Sequence, residues 1–202
     1  MRKITVFMSI TLDGVIQSPG SPDEDPRGGF RHGGWAAPYF DSVMAEMAEK
    51  HQAGMGAILL GRRTYETLYA YWPTAPQPNP FTDVLHNSQK YLASRTWSEP
   101  LPWMNSTLLD GDAADAVAEL KAEDGPDLVV LGSADLLQTL IRHDLVDEYL
   151  LQITPLVLGG GFRLFRDGAP AAAFTLVDTV NTTTGVIIAT YRRAEPAAAE
   201  NA

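Results

Sequence analysis

Short apolar runs alternate along this chain with segments whose apolar residues recur at helical spacing, the pattern of an α/β domain. Residues 4–10 predict a strand, and a polar stretch crowded with Gly and Pro follows over residues 17–34. From Pro38, which suits a first helical turn, Phe40, Val43, Met44 and Met47 recur at helix period. Residues 57–60 predict a buried strand ending at Gly61, and residues 64–71 a short helix with Tyr65, Leu68 and Tyr69 on one side. Residues 72–81 carry four prolines and predict no regular structure. A strand is expected over residues 90–93 and a helix over 113–123, entered through Asp110, Gly111 and Asp112. The most apolar strand, residues 128–131, runs into Gly132 and Ser133 and then a helix stacking Leu136, Leu137, Leu140 and Ile141. Residues 148–154 form a further strand closed by Pro155, and residues 174–180 and 186–192 pair as an antiparallel hairpin around a Thr-rich turn. The expectation is one domain over residues 1–193, a mixed sheet with helices on both faces, followed by a frayed tail over residues 194–202.

Charge narrows the partners. Among 202 residues, 15 basic against 25 acidic side chains give a net charge of −10, which repels nucleic acid and anionic lipid heads. No apolar run approaches the roughly 20 residues of a membrane span. Met1-Arg2-Lys3 ahead of an apolar run superficially resembles a secretory signal, but Asp13 interrupts the run and Ser18-Pro19-Gly20 offers no cleavage site. A buried first strand and a cytoplasmic protein are expected. The absence of cysteine removes disulfides, thiolate nucleophiles and Cys-containing zinc sites. The four histidines are scattered without metal-ligand spacing, so no metal is expected. No P-loop, G-x-G-x-x-G, G-x-S-x-G or H-E-x-x-H pattern is present.

The strongest local signal is Gly61-Arg62-Arg63-Thr64, where a buried strand turns directly into a helix. Unpaired N–H groups and the positive dipole end make such a helix start attractive to anions, and two guanidiniums add planar donors. Ser94-Arg95 stands at a second strand end and Gly132-Ser133-Ala134-Asp135-Leu136 at a third. Each alone reads equally as ordinary strand-to-helix turn chemistry. Together, at one end of a mixed sheet, they suit a long polyanionic ligand, and a dinucleotide with an extra phosphate fits separate arginine clusters.

In order and spacing, four features match: residues 9–16, the Gly61–Thr64 turn, the Ser94-Arg95 strand end and the Gly132-Ser133 turn. With residues 145–150 running into residues 155–161, they make the chain, from about residue 2 to about 193, similar to members of the dihydrofolate reductase superfamily. Within that superfamily it resembles the branch with the reductase domain of bacterial riboflavin biosynthesis. The resemblance implies a mostly parallel sheet, a homodimer, NADPH as hydride donor and a small heterocyclic or carbonyl substrate of aminopyrimidine or pterin type. Dihydrofolate reduction, or NADPH binding without turnover, stand as alternatives. It also implies that Arg62, Arg63 and Thr64 bind the 2′-phosphate and pyrophosphate, that Ser94 and Arg95 flank the adenosine end, and that Gly61 makes the turn. Gly132, Ser133, Ala134, Asp135 and Leu136 would take the pyrophosphate from the other side. Phe7, Met8 and Ile16 would lie near the nicotinamide under a covering loop of residues 17–34, with Trp35 and Gln152 toward the substrate.

Departures from the family pattern concern the acids. Trp35-Ala36-Ala37-Pro38 matches, but the place of the active-site acid is Phe40, and Asp41 comes one residue later. A one-residue shift on a helix rotates a side chain by about 100°, leaving Asp41 between pocket and first-turn roles. Asp13 is the second candidate for a proton relay. Leu151-Gln152-Ile153 stands where dihydrofolate reductases place a pocket threonine, which counts against dihydrofolate itself. Gly159-Gly160-Gly161 is expected to be a tight structural connection rather than a phosphate loop.

Overall fold

The computed structural model describes residues 1–53, 56–74 and 80–194. The expected tail, apart from Ala194, lies outside the described residues. In chain order the elements are β1 (Ile4–Thr11), α1 (Ser42–Ala53), β2 (Ala57–Gly61), α2 (Arg62–Tyr71), α3 (Pro80–Asn87), β3 (Lys90–Ala93) and β4 (Ser106–Leu109). They continue as α4 (Ala113–Ala122), β5 (Leu128–Gly132), α5 (Ala134–Arg142), β6 (Glu148–Thr154), β7 (Phe174–Asn181) and β8 (Ile187–Arg193).

The strands form one eight-stranded sheet in the order β4-β3-β2-β5-β1-β6-β8-β7. The first six are mutually parallel, and β8 runs antiparallel to both β6 and β7. Central parallel strands are covered on both faces and so must be apolar throughout. All five residues of β2 are buried. Its Leu59 joins one core with Val117 and Leu120 of α4 and Leu136, Leu137 and Leu140 of α5. Its Ile58 and Leu60 face the other way, against Tyr65 of α2, Leu85 of α3 and Trp103. Farther along that second face, Met44 of α1 packs on Leu150, Val186 and Ile188, with Phe7 beside them. Helices therefore cover both faces, and no helix of the described residues is long and apolar enough to cross a membrane.

Three expectations need correction. The helix expected from Pro38 starts only at Ser42, after a separate 3-10 turn over Ala37–Tyr39. Asp41 explains the delay: its Oδ1 accepts the Met44 N–H at 2.9 Å, a short polar cap that outweighs the suitability of proline for a first turn. Phe40 is consequently extended and 62% exposed, off the buried stripe. The proline-rich stretch is partly regular: Trp72–Thr74 is a 3-10 turn and α3 opens at Pro80, where the missing N–H costs nothing; residues 75–79 lie outside the described ones. Strand β4 was not expected, because Ser-Thr-Leu-Leu is too short to show a period.

The ends of β2 and β5 meet closely. Gly132 has φ +130°, and a Cβ built on it would stand 2.5 Å from Thr64 Oγ1; one built on Gly61 would stand 2.2 Å from Ser133 Oγ. The backbone at 132 therefore requires glycine, and a side chain at 61 would force Ser133 to move. Gly132→Ala is expected to lower stability by about 2 kcal/mol, measured by urea unfolding; an unchanged midpoint would contradict this close approach.

Candidate active site

Because β2, β3 and β5 run parallel, their C-terminal ends lie along one edge, and α2 and α5 both begin there. A cleft of about 530 Å³ opens at that edge. It gathers Gly61, Arg62 and Arg63 from the β2–α2 turn, Ser94 and Arg95 after β3, and Ser133, Asp135 and Leu136 at the start of α5. Neither helix start has a side-chain cap, whereas α4 is capped by Asp112. Their first-turn N–H groups thus remain available to an anion. Ser94 Oγ accepts the N–H groups of Thr96 and Trp97, both at 3.2 Å, and so shapes the turn that presents Arg95.

The cleft also holds Arg142, which sequence reasoning missed. Asp135, Thr139 and Arg142 fall on one face of α5 by helical spacing, a signal that could have found it. Among the described residues, Arg63, Arg95 and Arg142 make no salt bridge within 4.0 Å; Arg62 pairs with Glu66 one turn on, at 3.2 Å. Four guanidiniums around one cleft repel each other, and a bound polyanion would relieve that repulsion.

A smaller cavity of about 100 Å³ continues from the first, sharing Arg63 and Ser133. Thr64, Gly132, Ala134, Met8 and Ile16 line it, so the expected cofactor residues divide between two contiguous hollows. Phe7 is not with them: adjacent strand residues point to opposite faces, and Phe7 packs with Met44. Gln152 lies on that same opposite face, accepting a hydrogen bond from Ser9 Oγ at 2.9 Å.

Residues 17–34 close the second cavity, contributing Gln17, Pro19, Glu24 and Asp25 to its wall. Buried Gln17 anchors the segment: its Nε2 donates to Asp25 O and Arg27 O at 2.8 and 2.9 Å, and its Oε1 accepts the Phe162 N–H at 2.9 Å. Trp35, expected at the substrate, instead ties the segment's two ends together, its indole N–H donating to Gln17 O at 2.7 Å. The carboxylates of Glu24 and Asp25 were also missed, hidden in a stretch without periodicity. Arg27 beside Asp25 holds that carboxyl below the usual aspartate value, burial opposing.

Asp13 and Asp41 border neither hollow. Asp13 accepts Thr11 Oγ1 at 2.6 Å, the Leu158 N–H at 3.2 Å and the Gly159 N–H at 2.8 Å, joining the end of β1 to the glycine-rich connection. Asp41 Oδ2 accepts the N–H and Oγ1 of Thr183 at 2.7 and 2.6 Å, tying the start of α1 to the β7–β8 turn. These hydrogen bonds, with Thr11 and Thr183 respectively the largest contributors, hold both carboxyls below the usual aspartate value.

Comparisons with known proteins bear on the fold and the family. The chain is 28% identical over 200 residues to the uncharacterized protein YyaP of Bacillus subtilis, covering 94% of each chain. A putative riboflavin biosynthesis protein from Shewanella has a similar structure, with TM-score 0.67 and 20% identity, covering 96% of this chain and 99% of that one. Dihydrofolate reductase from Enterococcus faecalis, in complex with NADP(H), superposes with TM-score 0.58 and 14% identity over 96% and 97% of the two chains. The model of the RibD C-terminal domain matches residues 2–188, and the chain therefore belongs to that family, reductases on the dihydrofolate reductase fold.

Proposed function

We propose that the chain reduces a small heterocyclic substrate with NADPH, which lies across both hollows with its adenosine end in the arginine cleft. The observation that carries this reading is the grouping of Arg62, Arg63, Arg95 and Arg142 in one cleft of a chain with net charge −10. Arg62 and Arg95 border only the first hollow and would hold the 2′-phosphate; Arg63 borders both and would reach the pyrophosphate. When bound, NADPH supplies the hydride. Met8 and Ile16, 8% and 6% exposed, would form a dry wall beside the reacting ring, and residues 17–34 would keep water out. Positioning then does most of the catalysis.

Asp13 and Asp41 serve better as structural ties than as a proton relay, because every stated bond to their carboxylates favours the ionised form. The product's proton would come from water. Exposed Phe40 in place of an acid, and Gln152 on the opposite face, favour an aminopyrimidine-like substrate over dihydrofolate. Titration with NADPH, followed by loss of the reduced-nicotinamide absorbance across a panel of aminopyrimidines and pterins, tests the proposal. Binding with turnover of at least one panel member is expected; no binding of NADPH would refute it.

A homodimer is part of the same reading. Strand β7 is a sheet edge, and Leu176 and Val177 on it are 49% and 46% exposed. A second copy would cover such an edge. Leu176→Lys is expected to shift the protein from dimer to monomer in sedimentation equilibrium, and a wild-type monomer would contradict the assignment.

A further inference from the structure

A charged hydrogen bond fastens the covering segment to α5. Arg27 grips Asp25 with two nitrogens, at 2.8 and 2.6 Å, which leaves Nη1 to reach Asp135 on the first turn of α5 at 3.2 Å. Arg166 approaches the other oxygen of Asp135 at 3.5 Å. Both guanidiniums lie against the ring of Phe162, 4.6 and 5.3 Å from its centre. Two cations held this close need an anion between them, and Asp135 supplies it. Its side chain is 61% exposed, so water screens both pairs and neither is strong.

Asp135 borders the arginine cleft, while the preceding Ser133 and Ala134 border the second hollow. A dinucleotide running from one hollow to the other would pass Arg63 and Ser133, which border both, and would bring its diphosphate close to this carboxylate two residues beyond Ser133. We propose that Asp135 is a resident anion that latches residues 17–34 across the diphosphate path, and that an incoming diphosphate takes Arg27 and Arg166 over from it. This inference rests on the cofactor reading above. A diphosphate makes stronger charge-assisted hydrogen bonds to the two guanidiniums than an exposed carboxylate does. Once bound, however, it lies beside a like charge, so Asp135 lowers affinity while holding the empty site closed.

The test compares NADPH with 2′-phosphoadenosine, which carries the 2′-phosphate but no diphosphate, by calorimetric titration. Asp135→Asn and Asp135→Ala are expected to bind NADPH about tenfold more tightly and 2′-phosphoadenosine unchanged. Arg166→Ala is expected to weaken NADPH about tenfold, again without effect on 2′-phosphoadenosine. Amide hydrogen exchange in residues 18–30 of the ligand-free protein should speed up in Asp135→Asn. Wild-type binding of NADPH with no gain in the Asp135 variants, or an equal gain for 2′-phosphoadenosine, overturns the latch alone. Failure of the wild type to bind NADPH overturns the cofactor reading and the latch with it.

Discussion

The Arg62→Ala, Arg95→Ala double variant is expected to lose about 2–4 kcal/mol of NADPH affinity, roughly thirty- to a thousand-fold, with NADH nearly unaffected. Both side chains border the outer cleft and neither borders the inner cavity, so they address the end of the ligand that alone differs between the two coenzymes. Arg95 makes no salt bridge among the described residues, and the pair of Arg62 with Glu66 is half-exposed at 3.2 Å. Such i,i+4 pairs are weak, so Arg62 turns to a phosphate at little cost. Glu66 is not left stranded when Arg62 is removed, because Trp97 Nε1 still donates to it at 3.1 Å. Parallel titrations with both coenzymes give the answer, and equal losses would place the 2′-phosphate elsewhere.

Lys90→Met is expected to cost about 2–4 kcal/mol of stability at neutral pH without touching the cleft. Lys90 is fully buried, and its ammonium donates to Leu85 O at 2.7 Å, Ser88 O at 2.8 Å and His86 O at 3.5 Å. Leu85 and His86 lie in the last turn of α3, whose carbonyls have no partner within the helix. The Trp103 ring, 4.9 Å from Nζ, adds a cation–π contact. Methionine fills the volume but leaves Leu85 O and Ser88 O without this donor, while Asn105 Nδ2 still donates to His86 O at 2.9 Å; relief from burying a charge offsets part of the loss.

The pH dependence gives that prediction a sign. Burial pushes the Lys90 pKa from 10.5 down to about 8. Between those values the unfolded chain binds more protons than the folded one, so this group's contribution to stability rises with pH. The difference between wild type and Lys90→Met in urea unfolding should therefore widen from about pH 8 to 10.5. A variant as stable as the wild type, or a difference that narrows, would show that the carbonyl cluster does not depend on the amine.

The parallel core was legible because strands buried on both faces have little choice but Val, Ile and Leu, as in β2 and β5. Amphipathic α5 was equally clear, and the glycines at 61 and 132 correctly marked the strand-to-helix turns that build the cleft. What stayed hidden depended on contacts between distant residues. Asp41 read equally as a pocket acid displaced by one position or a first-turn residue; its bonds to the Met44 N–H and to Thr183, from the far hairpin, show it as a tie. Trp35 carries the family's motif, yet its hydrogen bond runs to a main-chain carbonyl eighteen residues earlier. Glu24 and Asp25 sit where no period exists to point at them. A tryptophan or aspartate has the same letter whether it holds a loop or faces a substrate, so such roles cannot be read without coordinates.

The position of β1 in the sheet bears on how the chain comes to be folded. Its neighbours are β5, in register from Leu128, and β6, in register from Glu148. Strand β1 is thus without an edge to pair with until synthesis has reached Leu128, more than a hundred residues later. During that interval its core-facing Ile4, Val6, Met8 and Ile10 have no partner strands beside them. Closing so long a loop is slow, and this stretch should be the part of the nascent protein most dependent on chaperones and most prone to clumping when synthesis is fast.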